Sequence, residues 1–430
     1  MPDTPRPPNP DAFRAPTGTH DVLSPESSRW SGLIAAFARR AERFGYGLAI
    51  TPVFEHLEVF RRVGAGTDVV RKEMYTFTDA GERELALRPE GTAPVVRAFV
   101  EHRPTPPWKA WYVAPHFRYE RPQRGRYRQH HQLGVEAIGV DDPDLDVEVV
   151  DLAHGFFTDI GLSDVRLRLN SMGDEESRPA YRAALRSYLL DHADGLGGDF
   201  VERVEASPLR VLDSKRSDWR EIIERAPQIT EYLSDAAQNS FERVQRGLDA
   251  LAIPYELDPR LVRGFDYYTG TTFEFTVEDL DAAQDAIGGG GRYDRLAEEM
   301  GGPAAPGIGF GIGIERLLLA ADAQGVVGSR VQRPDAFVVD ALGGLEAVRV
   351  VHELRSLGLR ADRSYGGRSV KAQWRQADRS DARFGVMLGA DEASRGAVAV
   401  KNLDTGDQTE VDRDEVAAWI ETRLETPHDA

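Results

Sequence analysis

Between Ser27 and Phe44 the side chains Trp30, Leu33, Ile34, Phe37, Ala41 and Phe44 recur every three or four residues, the period of one helix face. A helix is predicted there, with Ser27 or Ser28 as its N-cap and Gly45 as its stop. The next residues, LAITPVFE (48–55), read as a strand. Further strands are predicted over 85–89, 110–120, 131–140, 165–170, 266–277 and 307–313, from β-branched and aromatic runs bounded by turn residues. Helical spacing intervenes between Val95 and His102 and between Asp144 and Ile160. Strands joined by hairpins with helices around them predict an α+β domain on an antiparallel sheet.

The pattern changes twice along the chain. Residues 173–252 are charged and helical, as in RPAYRAALRSYLLDHADGL, and they interrupt two strand-rich blocks at 14–172 and 253–328. That stretch reads as a helical insertion. From 335 to 430 strand and helix patterns alternate, beginning with DAFVVDA (335–341), which predicts a separate small α/β domain. The Pro-rich start, residues 1–13, reads as a flexible leader without the apolar core of a signal peptide.

The chain has 430 residues and net charge −18, with no cysteine. Disulfide and thiolate chemistry are excluded, which fits a cytoplasmic protein. No apolar run approaches the roughly 20 residues that span a bilayer, so no membrane partner is expected. An acidic surface repels polyanions and argues against general nucleic-acid binding, yet it permits a local basic patch. One is present: Phe117 to Gln132 holds five arginines (118, 121, 124, 126, 128) against one glutamate, Glu120.

Read as a hairpin, the stretch FRYERPQRGRYRQHHQLGVE places Arg118 and Glu120 on one face of the first strand. On the returning strand Gln132, Gly134 and Glu136 share one face and Leu133, Val135 and Ala137 the other, so the apolar set faces a core and Gly134 leaves room above the sheet. The linking PQRGRYRQ suits phosphate binding, although a solvated arginine face is the plain alternative. In LALRPEGTAPVV, Glu90, Gly91 and Thr92 lie where a strand ends and a helix begins. Glu90 can complement that helix N-terminus, or with Thr92 fix an ammonium group. In LVRGFDYYTG, Arg263 stands beside Tyr267 and Tyr268 at a strand start; edge aromatics packing a core are the alternative. IGGGGRYD (287–294) reads as a four-glycine turn. In GIGFGIGIER, glycines at alternate strand positions leave one face bare before Arg316 opens a helix. Carboxylates, arginines, aromatics and bare glycine surface together suit an amino acid and a nucleoside triphosphate.

These segments resemble the class II aminoacyl-tRNA synthetases, specifically the histidyl-tRNA synthetase family. Helix 27–44 with the strand carrying Pro52 resembles the dimer-forming motif 1, FRYERPQRGRYRQHHQLGVE motif 2 and GIGFGIGIER motif 3; LVRGFDYY, RPEGTA and GGGGRYD narrow the likeness to histidine. The resemblance implies a class II antiparallel sheet core with a helical insertion, followed by an anticodon-binding α/β domain. It implies activation of L-histidine by ATP with Mg²⁺, transfer to tRNA(His), and a homodimer. By position, Arg118 would hold the α-phosphate and the amino-acid carboxylate, Glu120 the adenine amino group, and Arg126 and Arg316 the outer phosphates. Glu90, Gly91, Thr92, Gln132 and Glu136 would bind the ammonium and imidazole, Tyr267 and Tyr268 would close the pocket, and Arg263 would be the catalytic arginine. Many members carry Phe where this chain has His130, a position expected to stack on adenine.

In the C-terminal region Arg368, Lys371, Arg375 and Arg379 are spaced 3, 4 and 4, one helix face with Trp374 adjacent. With a tRNA implied, this is expected to be an RNA-binding stripe rather than a solvated face. The synthetase-like regulatory subunit of histidine biosynthesis, a binding module, would be expected to lack this domain and to degrade the motif arginines.

Overall fold

The computed structural model describes residues 13–64, 69–212, 214, 216–262, 267–278, 285–327 and 333–425. The chain divides into two compact units, residues 1–328 and 329–430. The first begins with α1 (Glu26–Arg43), β1 (Gly47–Leu48), β2 (Phe54–His56), α2 (Leu57–Gly64), β3 (Thr76–Thr78), β4 (Glu84–Leu87) and α3 (Thr92–His102). The motif 2 hairpin is β5 (Trp108–Phe117) and β6 (Gln129–Ile138), followed by α4 (Pro143–Asp159) and β7 (Val165–Ser171). A helical stretch runs through α5 (Ser177–Asp191), α6 (Gly198–Ala206), α7 (Leu209–Leu212), α8 (Arg220–Glu224) and α9 (Asp235–Ala250). The chain then returns as β8 (Glu256–Leu257), β9 (Thr269–Val277), β10 (Ala286–Arg292), α10 (Leu296–Glu299), β11 (Gly307–Gly313) and α11 (Ile314–Ala323).

Eight strands form one sheet in the order β1-β5-β6-β11-β10-β9-β7-β8. Its six central strands are antiparallel, and only the short edge strands β1 and β8 pair in parallel. One face is closed by α1, α4 and α9. Phe37 of α1, Phe156 of α4 and Val244 of α9 join Leu133, Val135, Phe273, Phe275 and Phe310 in a single core. Burial of this apolar face is the main stabilising term for the unit. The opposite face therefore carries the glycines and polar side chains of the same strands.

Several local expectations change. Helix α1 starts at Glu26 after Pro25, without a side-chain cap, so Ser27 and Ser28 lie inside it; Gly45 follows the end with φ 81°, as a left-handed stop requires. Residues 48–55 are not one strand: β1 and β2 belong to different sheets, and Pro52, which cannot donate to a ladder, lies in the break. The four glycines 288–291 form no turn. They lie in β10, paired on both sides, and none has a positive φ. Within 173–252, a second core of Tyr181, Leu185, Phe200, Trp219 and neighbours ends near Leu233, whereas α9 packs on the main sheet. Asp174 clamps its base by accepting from Ser177 Oγ (2.6 Å) and Ser234 Oγ (2.5 Å). Of the expected leader, residues 1–12 lie outside the described residues.

The second unit comprises β12 (Ala336–Asp340), α12 (Glu346–Ser356), β13 (Ala361–Arg363), α13 (Val370–Arg379), β14 (Phe384–Leu388), α14 (Ala390–Ala393), β15 (Ala397–Asn402), β16 (Gln408–Asp412) and α15 (Val416–Glu425). Its sheet, β13-β12-β14-β15-β16, is parallel on one side of β14 and antiparallel on the other. Helix α13 begins after Ser369, so Arg368 precedes it and only Lys371, Arg375 and Arg379 form a helical stripe. All four cations are exposed. Trp374 is half-buried instead, against Gly385 and with Lys401 over its ring at 5.8 Å.

Candidate active site

The floor of the site is a row across five strands: Tyr112, Gly134, Gly311, Gly289 and Glu274 are successive register partners. On β6 the alternation falls as expected, with Leu133, Val135 and Ala137 wholly buried in the core and Gln132, Gly134 and Glu136 on the other face. The space above Gly134, however, is taken by the chain itself. A Cβ there would collide with the Tyr112 ring, and so would one at Gly91. On β11 the glycine face is likewise filled in steps: Tyr293 covers Gly307 and Glu136 covers Gly309, while Gly311 meets only the end of Gln132 and Gly313 stays open. The bare strand thus lines the cavity at Gly309, Gly311 and Gly313, and is open above the last two. Gly134→Ala is expected to drive the Tyr112 ring towards the cavity and raise the KM for the amino acid by roughly tenfold or more. Steady-state kinetics would check this, and an unchanged KM would contradict it.

Above this floor lies a cavity of about 320 Å³, lined among others by Glu90, Thr92, Gln132, Tyr267, Tyr268 and Arg118. Glu90 is buried at the N-terminus of α3 and accepts from Thr92 N and Ala93 N, both at 2.7 Å. The helix-terminus reading of Glu90 is realised, and the residue still lines the cavity. Glu136 stands one layer back and wholly buried. It accepts from Thr92 Oγ1 (2.7 Å), Tyr293 OH (2.5 Å) and, at 3.4 Å, Tyr112 OH. Burial pushes its carboxyl up to about 8, against the lowering pull of Tyr293 and Thr92, and burial raises Glu90 too. Burial also holds the phenols of Tyr112, Tyr267 and Tyr293 well above their ordinary range, so they remain protonated donors. Two carboxylates at a desolvated site favour a cation bearing several N–H donors.

Beyond Gln132 three arginines, Arg118, Arg126 and Arg316, enter the lining beside Glu120, Glu274 and Glu315. The hairpin loop closes through a turn in which Gln123 and Arg126 exchange backbone bonds (3.0 and 2.9 Å), with Gly125 at φ 73°. Arg118 donates from Nε to Pro89 O (2.9 Å), and Arg126 pairs with Glu120 at 2.9 Å. Arg316 reaches from α11 to Ala286 O (2.8 Å) and Gly125 O (3.3 Å). Arg118, Glu120, Arg126, His130 and Arg316 all line the cavity, whereas Arg121 and Arg124 are exposed and form no ion pair among the described residues. Burial, then Arg118, hold His130 down to about 3, so its ring is neutral. Its cross-strand partner His116 is wholly buried, with ring centroids 5.7 Å apart. Glu315 ties motif 3 to motif 2, accepting from His131 N at 3.0 Å. Arg263, with Gly264 to Asp266, lies outside the described residues.

Two family models match the chain: histidyl-tRNA synthetase over residues 18–317 and anticodon binding domain over 337–423. The chain belongs to the histidyl-tRNA synthetase family. Curated relatives include a histidine–tRNA ligase of Desulforamulus reducens, 45% identical over 95% of this chain and 99% of that protein. Another, from Rhodococcus erythropolis, is 48% identical over 94% of this chain and 96% of that protein. Among solved structures, apo S. aureus histidyl-tRNA synthetase aligns with TM-score 0.80 and 36% identity, covering 95% of this chain and 100% of that one.

In this synthetase the site includes residues that the sequence reading passed over. Tyr112 and Tyr293 shape the pocket around Glu136, and Glu274 lines its far side. A signal for Tyr112 existed, since an alternating strand opposite Gly134 must offer one side chain to that glycine. Arg292, in the GGGGRYD segment, proves structural: it is buried against Asp146, which accepts from Nη2 at 2.5 Å and from Nε at 3.1 Å.

Proposed function

We infer that the chain is a histidine–tRNA ligase that joins L-histidine to ATP as histidyl-adenylate, releases pyrophosphate and transfers histidine to the 3′ end of tRNA(His). The observation that carries this is full-length similarity to histidine–tRNA ligases together with a cavity that is acidic at one end and arginine-lined at the other. Glu90, Thr92, Gln132 and Glu136, with Tyr267 and Tyr268, take the ammonium and imidazole. Arg118 and Arg263 hold the carboxylate against the α-phosphate. One carboxylate oxygen attacks the α-phosphorus in line, the bond to the bridging oxygen breaks, and pyrophosphate leaves with the electron pair. A carboxylate is already a nucleophile, so positioning and charge stabilisation suffice. Arg126 and Arg316 neutralise the outer phosphates, and Glu120 accepts from the adenine amino group over His130. Mg²⁺ arrives with the nucleotide as part of the substrate; among the described residues no three acidic or histidine side chains cluster to hold a metal. In the second step the terminal ribose hydroxyl of tRNA attacks the histidyl carbonyl and AMP leaves, with the exposed Arg368, Lys371, Arg375 and Arg379 gripping the RNA.

A homodimer is part of this reading. Leu48, Ile50, Val53, Phe54 and Phe77 are exposed apolar side chains on or near β1, β2 and β3, and Ile50 is 87% exposed. A cytoplasmic location belongs to the same reading and is supported by the lack of cysteine; separately, among the described residues no helix is long and apolar enough to cross a membrane. The purified protein is expected to catalyse ATP–pyrophosphate exchange that depends on histidine. Exchange without an amino acid, or with threonine or proline in place of histidine, would overturn the reading.

A further inference from the structure

The segment before α1 is joined to the motif 2 hairpin. Pro16 to Thr19 form a turn closed by Thr19 N to Pro16 O (3.0 Å) and reinforced by Thr19 Oγ1 to the same oxygen (2.8 Å). Gly18 occupies its third position with φ 84°, which favours glycine. The carbonyl of Gly18 accepts from Arg128 N (2.8 Å) and Gln129 N (3.3 Å), the first residues of the hairpin's returning arm. The fit is close: a Cβ on Gly18 would lie 2.7 Å from Arg128 Cγ. Two residues on, His20 packs its ring on Tyr127 with centroids 4.6 Å apart, and Tyr127 lines the cavity. His20 Nδ1 is buried and has no hydrogen-bond partner among the described residues. The ring is therefore held there by packing and not by its nitrogen.

We propose that residues 16–20 are a strap that positions the nucleotide half of the site, with Gly18 fixing the backbone at Arg128 and Gln129 and His20 backing Tyr127. The loop between Arg118 and Arg128 carries the cavity-lining Arg126 and its partner Glu120, and its turn is short, with Gln123, Arg124 and Arg126 exposed and Gly125 buried. A loop of this kind holds its arginines in place only if both of its ends are anchored. Arg118, at one end, is tied through Pro89 to the β4–α3 junction; at the other end Arg128 O accepts from Arg118 N (2.8 Å), and the strap adds the anchor at Arg128 N and Gln129 N. Gly18 and His20 are positioning residues and touch no reacting atom.

The inference rests on the ATP reading of the cavity, and the experiment separates the two. In the full-length protein, His20→Ala is expected to raise the KM for ATP roughly three- to tenfold, the scale of one aromatic pair. Gly18→Ala, strained in φ and against Arg128, should raise it further. The dissociation constant for histidine measured without ATP should stay within about twofold, because the acidic end is untouched. His20→Phe keeps the ring without the unpaired nitrogen and should restore the wild-type KM for ATP. If wild-type exchange depends on histidine while His20→Ala and Gly18→Ala leave the KM for ATP unchanged, the strap has no positioning role. Equal loss of ATP and histidine binding, or failure of His20→Phe to restore the KM, would reduce it to a general stability element and overturn the proposal. Absence of exchange in the wild type would instead overturn the functional reading itself.

Discussion

Arg118→Ala is expected to lower histidine-dependent pyrophosphate exchange by about 10²- to 10³-fold, the scale of removing a charged donor aimed at a transition state. The side chain lies where the two halves of the cavity meet. Its Nε is fixed on Pro89 O, the residue before Glu90, and Nη1 lies 3.9 Å from Glu120. It also pulls the Glu90 carboxyl downward against the effect of burial. Losing it therefore removes the group expected to join the amino-acid carboxylate to the α-phosphate, and it leaves Glu90 less compensated. Arg118→Lys keeps the charge but not the planar fork, so a loss of at least tenfold should remain. Single-turnover formation of histidyl-adenylate separates this from weaker binding. A variant whose loss is confined to the KM values, with an unchanged first-turnover rate, would assign Arg118 to binding alone.

What was legible in the sequence divides along a physical line. The alternation from Gln132 to Ala137 was readable because side-chain direction along a strand is set locally, and the core face came out as expected. The glycines of β10 misled because glycine's local freedom suggests a turn, whereas here absence of a side chain is what matters. A Cβ on Gly291 would lie 2.7 Å from Thr271 O and 2.8 Å from the Tyr268 ring, which only the pairing of β10 with β9 decides. The break at Pro52 was marked in the sequence and outweighed by the apolar run around it. Tyr112 and Tyr293 were missed because filling the space over a glycine is a tertiary event. The strap was missed for a similar reason: Pro16 to His20, just past the leader at the start of the 14–172 block, carries no strand or helix period, and its contact shows only when Gly18 is seen against Arg128. Arginine placement carried across well, since the loop residues Arg118 and Arg126 and the helix residue Arg316 reach one cavity from separate elements.

The buried carboxylate of Glu136 should make stability depend on pH in a way that Glu136→Gln removes. Its pKa in the folded chain, about 8, lies above the ordinary value of 4.5 because it is wholly buried. Between those two values the folded protein holds a proton that the unfolded chain has released, so unfolding becomes easier as pH rises. The contribution is intact below about 4.5 and is lost progressively as pH climbs through about 8. Chemical denaturation should therefore show Glu136→Gln gaining on the wild type by on the order of 2–4 kcal/mol between about pH 5 and about pH 8.5. Glu90 is present in both proteins and its charge helps to raise Glu136, so the difference reports Glu136 together with its coupling to Glu90. A bound histidine cation favours the ionised carboxylate, which implies that histidine expels a proton from the wild type near neutral pH. Calorimetry in two buffers of different ionisation enthalpy should register that proton, and Glu136→Gln should abolish it together with most histidine binding. A stability difference that does not vary with pH, or proton release unaltered in the variant, would mean that Glu136 is ionised before the substrate arrives. The carboxylate would then serve only as an acceptor for Thr92, Tyr112 and Tyr293.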